Sequence, residues 1–108
     1  MIYEKLQDWD TTEPYKYSSV TATEWRVNGV SHRNDGPAII WDDGAECWYQ
    51  KGKLHREDGP AIEYKDGHKR WYAEGHEFKL ETFTLNLQCQ VNYPKLFETM
   101  LIYLVHNS

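Results

Sequence analysis

Through its middle half the chain repeats every 23 residues without a gap, and this repeat constrains the fold more than any other feature. Trp25, Trp48 and Trp71 mark the period. Aligning residues 25–47 with 48–70 gives identity at eleven of 23 positions, namely Trp, Gly, His, Arg, Asp, Gly, Pro, Ala, Ile, Asp and Gly, and Trp71-Tyr72-Ala73-Glu74-Gly75 opens a third copy. A unit this short cannot bury its apolar side alone, so it must stack on copies of itself.

The punctuation inside each copy is turn chemistry. Asn28-Gly29, Lys51-Gly52 and Glu74-Gly75 recur at the period, with Asp43-Gly44 and Asp66-Gly67 between them. Pairs ending in Gly and flanked by aromatic or β-branched residues suit two-residue hairpin turns, which need positive φ. Two strands per copy are expected, in the second copy near residues 46–50 and 61–64, with 53–55 continuing out of the turn. Residues 32–38 and 55–61 share the string His-Arg-x-Asp-Gly-Pro-Ala. Its proline cannot donate a ladder bond, which puts the string on a loop or sheet margin. Residues 20–27 read as the opening strand. After Phe78 the period becomes helical: Leu96, Phe97, Met100, Leu101, Leu104 and Val105 form a stripe behind Pro94, predicting a helix over 94–106 and a weaker one near 80–88. The expected fold is therefore mainly β, an antiparallel single-layer meander of stacked hairpins with a C-terminal α-helical cap. It forms one domain: an N-terminal segment and opening strand (1–24), the repeats (25–78) and the cap (79–108).

Comparison between copies suggests which face is buried. Ile39 with Trp41, and Ile62 with Tyr64, stay apolar, while the alternate positions do not. These residues and the Trp25, Trp48 and Trp71 column are expected on the core side, with Arg26, Tyr49 and Tyr72 forming a column on the opposite face.

The spacing of Trp, Asn/Lys-Gly, His and Asp-Gly in a 23-residue unit resembles the MORN repeat. The string His32-Arg33-Asn34-Asp35-Gly36-Pro37-Ala38, matched by His55 to Ala61, looks like a variant common in bacteriophage, bacterial and giant-virus proteins. Arg33 and Arg56 stand where the usual repeat has Gly, and Gly-Pro-Ala replaces Gly-x-Gly. The resemblance covers residues 25–78. It implies a hairpin repeat building a twisted single-layer sheet, and a phage-type protein that inhibits or adapts a host factor in counter-defence.

The 108 residues suffice for one small unit. A net charge of −5, spread along the chain, argues against nucleic acid as partner. Cys47 and Cys89 lack metal or redox spacing and are expected to be free thiols. No signal peptide and no apolar stretch of about 20 residues is seen, so a cytoplasmic, membrane-free protein is expected, in the host cytoplasm if viral. His32 and His55 should lie two strands apart, about 9.5 Å, too far to share one zinc. His68, His76 and His106 have no interpretable spacing. No nucleophile elbow, phosphate loop or paired-carboxylate pattern occurs, so neither an enzyme nor a cofactor is expected. The primary expectation is a protein-binding module whose partner is a host or phage protein, with contact candidates Arg26, Tyr49, Tyr72, Arg33, Arg56, His32 and His55. Two alternatives stand beside it: a protein that sequesters a nucleotide-like small molecule through Trp or Tyr stacking and Arg, and an acidic DNA mimic. The sequence leaves the oligomeric state open.

Overall fold

The computed structural model describes residues 14–19, 21–79 and 86–107. Ten strands precede two helices: β1 (Tyr15–Ser18), β2 (Ala22–Val27), β3 (Val30–Ser31), β4 (Ile39–Trp41), β5 (Glu46–Cys47), β6 (Tyr49–Gln50), β7 (Lys53–Leu54), β8 (Ile62–Glu63), β9 (Lys69–Ala73), β10 (His76–Phe78), α1 (Asn86–Asn92) and α2 (Pro94–Asn107). The main sheet is antiparallel and runs β1-β2-β4-β5-β8-β9-β10, with β3 beside β2, while β6 and β7 pair separately. This is the expected mainly β architecture with a helical cap. The expected opening strand is β2, which starts at Ala22. β1, which the sequence reading lacked, pairs along it from Tyr15 opposite Arg26 to Ser18 opposite Thr23. As an edge strand it tolerates Pro14 just before it. Of the weaker helix, residues 80–85 lie outside the described residues, and α1 occupies the position just after them.

Two turn types alternate. Asn28-Gly29, Lys51-Gly52 and Glu74-Gly75 all have positive φ at both positions, with Asn28 and Lys51 at 53° and Glu74 at 47°. These are the two-residue turns anticipated, and their twist suits the flanking strands. The Asp-Gly pairs depart from that expectation. Trp41 N–H donates to the Ala45 carbonyl at 2.8 Å and Gly44 N–H to the Trp41 carbonyl at 2.9 Å, so Asp42-Asp43-Gly44 is a three-residue loop with only Gly44 at positive φ. Tyr64, Gly67 and His68 repeat the pattern. Asp43 and Asp66 each brace it by accepting the backbone N–H two residues on, at 3.0 and 2.9 Å.

That extra residue changes the assignment of faces. It places Ile39 opposite Cys47, and Cys47 opposite Ile62, which in turn faces Arg70. A two-residue loop would shift the register by one and turn every side chain over. Ile39, Trp41, Ile62 and Tyr64 therefore share the face of Arg26, Tyr49 and Tyr72, not that of the tryptophans as expected. Trp41 is 43% exposed and Tyr64 37%, which removes both from the core.

Each Trp sits where its strand exchanges a partner in the body of the sheet for its own tip hairpin. Glu24 still pairs with β4, whereas Arg26 pairs with β3. In the second copy this junction splits the strand into β5 and β6 around Trp48. Successive tips stack: Gly52 N–H donates to the Ser31 carbonyl at 2.9 Å, and Gly75 N–H to the Leu54 carbonyl at 2.8 Å.

The cap closes the last copy on the tryptophan side. Pro94 starts α2, where its missing N–H is harmless. Cys89, Leu96 and Met100 bury themselves against Trp71, Ala73 and Phe78, with Tyr93, Phe97 and Tyr103 around them. The Thr99 hydroxyl lies 2.9 Å from the Glu57 carbonyl oxygen and ties α2 to the second copy as well. Trp71 is 3% exposed, whereas Trp25 and Trp48 are half-buried, so the three tryptophans differ in energetic weight. Trp71→Ala is expected to destabilise by about 3–5 kcal/mol and Met100→Ala by about 2–5, with Trp48→Ala costing about half as much as Trp71→Ala; urea unfolding of the three variants measures the order.

Candidate functional site

The repeated His-Arg-x-Asp-Gly-Pro-Ala string is an internal clamp. The Arg33 guanidinium lies 3.8 Å from the Trp25 ring centroid, and Arg56 lies 3.8 Å from that of Trp48. Asp58 holds Arg56 Nε at 2.8 Å, and the Pro60 carbonyl accepts from Nη1 at 3.2 Å. Asp35 and the Pro37 carbonyl do the same for Arg33 at 3.3 and 3.1 Å. The glycine leaves room for the guanidinium: a Cβ at Gly59 would stand 2.7 Å from Arg56 Cζ, and one at Gly36 2.9 Å from Arg33 Cζ. Ala38 and Ala61 are fully buried beneath.

The histidine faces the next copy. His32 Nδ1 accepts the Lys51 N–H, and His55 Nδ1 the Glu74 N–H, each at 2.9 Å. Each histidine thus holds the left-handed turn one period on. All four clamp candidates, His32, Arg33, His55 and Arg56, are committed on the tryptophan side. They do not join Arg26, Tyr49 and Tyr72 in one surface.

Arg26, Tyr49 and Tyr72 do come together with others across the opposite face. Tyr15, Trp41 and Tyr64 stand exposed there, while Tyr49 and Tyr72 are half-buried. Two ion pairs flank them. Arg26 binds Glu24 at 2.7 Å, and Ser31 donates to the same carboxylate. Arg70 grips Glu77 through two bonds of 2.9 and 3.1 Å, and its Nη1 lies 3.4 Å from the Tyr64 hydroxyl. Burial alone would raise the Glu24 carboxyl, but bonds from Arg26 and Ser31 outweigh it and hold the group below its ordinary value. Bonds from Arg70 lower Glu77, and those from Arg56 lower Asp58. Burial raises the Tyr49 and Tyr72 phenols and the Cys47 thiol, so all three are protonated at neutral pH. The surface is therefore aromatic, hydroxyl-bearing and internally neutralised.

Arg70, Glu77, Glu24, Trp41 and Tyr64 were missing from the sequence-derived contact set. A signal for the first pair was present. A two-residue turn at Glu74-Gly75 sets Tyr72 opposite Glu77, and Arg70 shares that face as the residue two before Tyr72. Among the described residues, no cluster of His, Cys, Asp and Glu could hold a metal ion.

Two outcomes test this geometry. Gly59→Ala should push the Arg56 guanidinium off Trp48 and cost about 1–3 kcal/mol in a urea melt. Acid should weaken the fold through Glu24, Glu77 and Asp58. Their native values lie below the unfolded ones, so their contribution is present above the ordinary glutamate value of 4.5 and is lost as pH falls through the lowered native values. Glu77→Gln should flatten that acid limb, measured as melting temperature against pH. Comparison with known proteins returns no match, whether to a family model, a curated protein or a solved structure, so the likeness to the MORN repeat rests on the motif residues alone.

Proposed function

We propose that this chain is a non-enzymatic protein-binding module, of the inhibitor or adaptor kind, that offers its tyrosine face to one macromolecular partner. The observation that carries the reading is a sheet face bearing Tyr15, Trp41, Tyr49, Tyr64 and Tyr72, over which no described element packs. Tyr, Trp and Arg are the residue types that dominate binding hot spots. Large aromatic side chains bury much area while losing few rotatable bonds. The ion pairs of this face are already formed, so docking leaves no charge stranded. The suited partner is a flat protein surface with apolar ground and acceptors for the phenol hydroxyls. That this partner is a host factor of an infected cell rests on the motif resemblance. No helix among the described residues is long and apolar enough to cross a membrane.

The test compares two doubly substituted variants in affinity capture from a cell lysate, followed by calorimetry with the captured protein. Trp41→Ala with Tyr64→Ala alters exposed positions and should weaken binding by about 2 kcal/mol or more with little change in melting temperature. Ile102→Asp with Val105→Asp alters the exposed side of α2 and should bind as wild type. The reverse pattern would move recognition to the helical cap.

A further inference from the structure

A groove of about 610 Å³ opens on the tryptophan side, at the seam between the second copy and the cap. Its volume is that of a small-ligand pocket. Trp48, with the Arg56 guanidinium stacked on its ring, supplies one wall, with His55 beside it. Lys51 and Lys53 approach from the second tip hairpin, and Lys95 from the first turn of α2. Four cationic side chains thus meet three carboxylates, Glu57, Asp58 and Glu74, in a protein whose net charge is −5.

Two of those carboxylates are occupied. Asp58 is bonded to Arg56, and Glu74 accepts the Tyr93 hydroxyl at 2.9 Å. Lys51 and Lys53 form no ion pair among the described residues. His55 adds a donor: its Nδ1 takes the Glu74 N–H, so the neutral ring carries its proton on Nε2. Glu57 forms no ion pair among the described residues, so the unspent chemistry of the groove is three lysine ammonium groups and an N–H against one carboxylate, beside the Arg56–Trp48 stack.

We infer that this groove binds a small phosphorylated ligand of the nucleotide class, its phosphates met by Lys51, Lys53 and Lys95 and its ring lying against the stacked Arg56 and Trp48. The site goes beyond the protein-binding reading and lies on the other side of the sheet. Lysine, rather than the arginine expected from sequence, is the phosphate ligand here, because Arg56 is held by Trp48, Asp58 and Pro60. The second copy differs from the first in the way this requires: Asn28 and Val30 occupy the places of Lys51 and Lys53. Only the later tip is basic.

The test titrates the full chain by calorimetry with ADP, pyrophosphate and adenosine, each to about 1 mM, where affinities of biological use become measurable. ADP should bind more tightly than pyrophosphate, and adenosine most weakly. The Lys51→Asn, Lys53→Val double variant copies the first repeat, keeps a residue suited to positive φ in the turn, and should fold with an unchanged melting temperature. It should lose about tenfold or more in ADP affinity, the scale of charge-assisted contacts. Trp41→Ala with Tyr64→Ala should bind ADP as wild type does. Absence of ADP binding, ADP affinity unaffected by the lysine variant, or adenosine binding as tightly as ADP would each overturn the assignment.

Discussion

The stack of arginine on tryptophan is the interaction on which the rest of the structure depends. A hairpin repeat laid out as one sheet gives each Trp no second layer to bury against. Arg33 and Arg56 take that layer's place over Trp25 and Trp48. A guanidinium suits the task because it is flat, weakly hydrated and attracted to the ring by about 0.5–2 kcal/mol. The other residues of the string serve it: the aspartate and the proline carbonyl fix its plane, and the glycine lets it lie against the backbone. A motif that looks like chemistry in the sequence is in the fold a covering for an aromatic ring.

The third copy shows what happens when the clamp is withdrawn. Phe78 and Lys79 stand where the earlier copies have His and Arg. Trp71 is covered instead by Tyr103 of α2, whose ring meets it edge-on at 5.3 Å. Phe78 joins the same cluster, so loss of the motif and arrival of the helices are one structural event. Repeat arrays need such closing elements, because a terminal unit otherwise presents a bare apolar side. The histidines pass order along the array in the other direction, since each closes its Nδ1 on the following turn and so sets one tip against the next.

With the tryptophan side carrying the clamps and the cap, the opposite side is left uncovered by any described element. Its arginines differ in role from those of the clamp, although the residue type is the same. Arg26 pairs with Glu24 along its own strand and Arg70 with Glu77 across a hairpin, and both leave the aromatic rings between them in view. The two sides thus carry separable chemistry: hydroxyl-bearing and neutral on one, ammonium-rich beside the cap on the other.

Much of this was legible in the residues. The 23-residue period, the positive-φ turns at Asn28-Gly29, Lys51-Gly52 and Glu74-Gly75, and the stripe of Leu96, Phe97 and Met100 dictated stacked hairpins with a helical cap, because each is a local signal of conformational preference or periodicity, whereas Val105 of the same stripe stands exposed. The opposition of Arg26, Tyr49 and Tyr72 to the tryptophans was legible too, since neighbouring strand residues must point apart. The placement of Ile39, Trp41, Ile62 and Tyr64 was not. Asp43-Gly44 and Asp66-Gly67 fit a two-residue and a three-residue loop alike, and one residue of register decides which face four large side chains occupy. The partners of Arg33, Arg56, His32 and His55 were equally hidden. An arginine can bind a phosphate, a carboxylate or an indole, and the choice falls to whichever group the neighbouring copy brings within reach. Local preference determined the elements by itself, while the tertiary structure alone decided which of the side chains are used up in holding those elements together and which stay uncommitted, because that depends on what a neighbouring copy brings within reach.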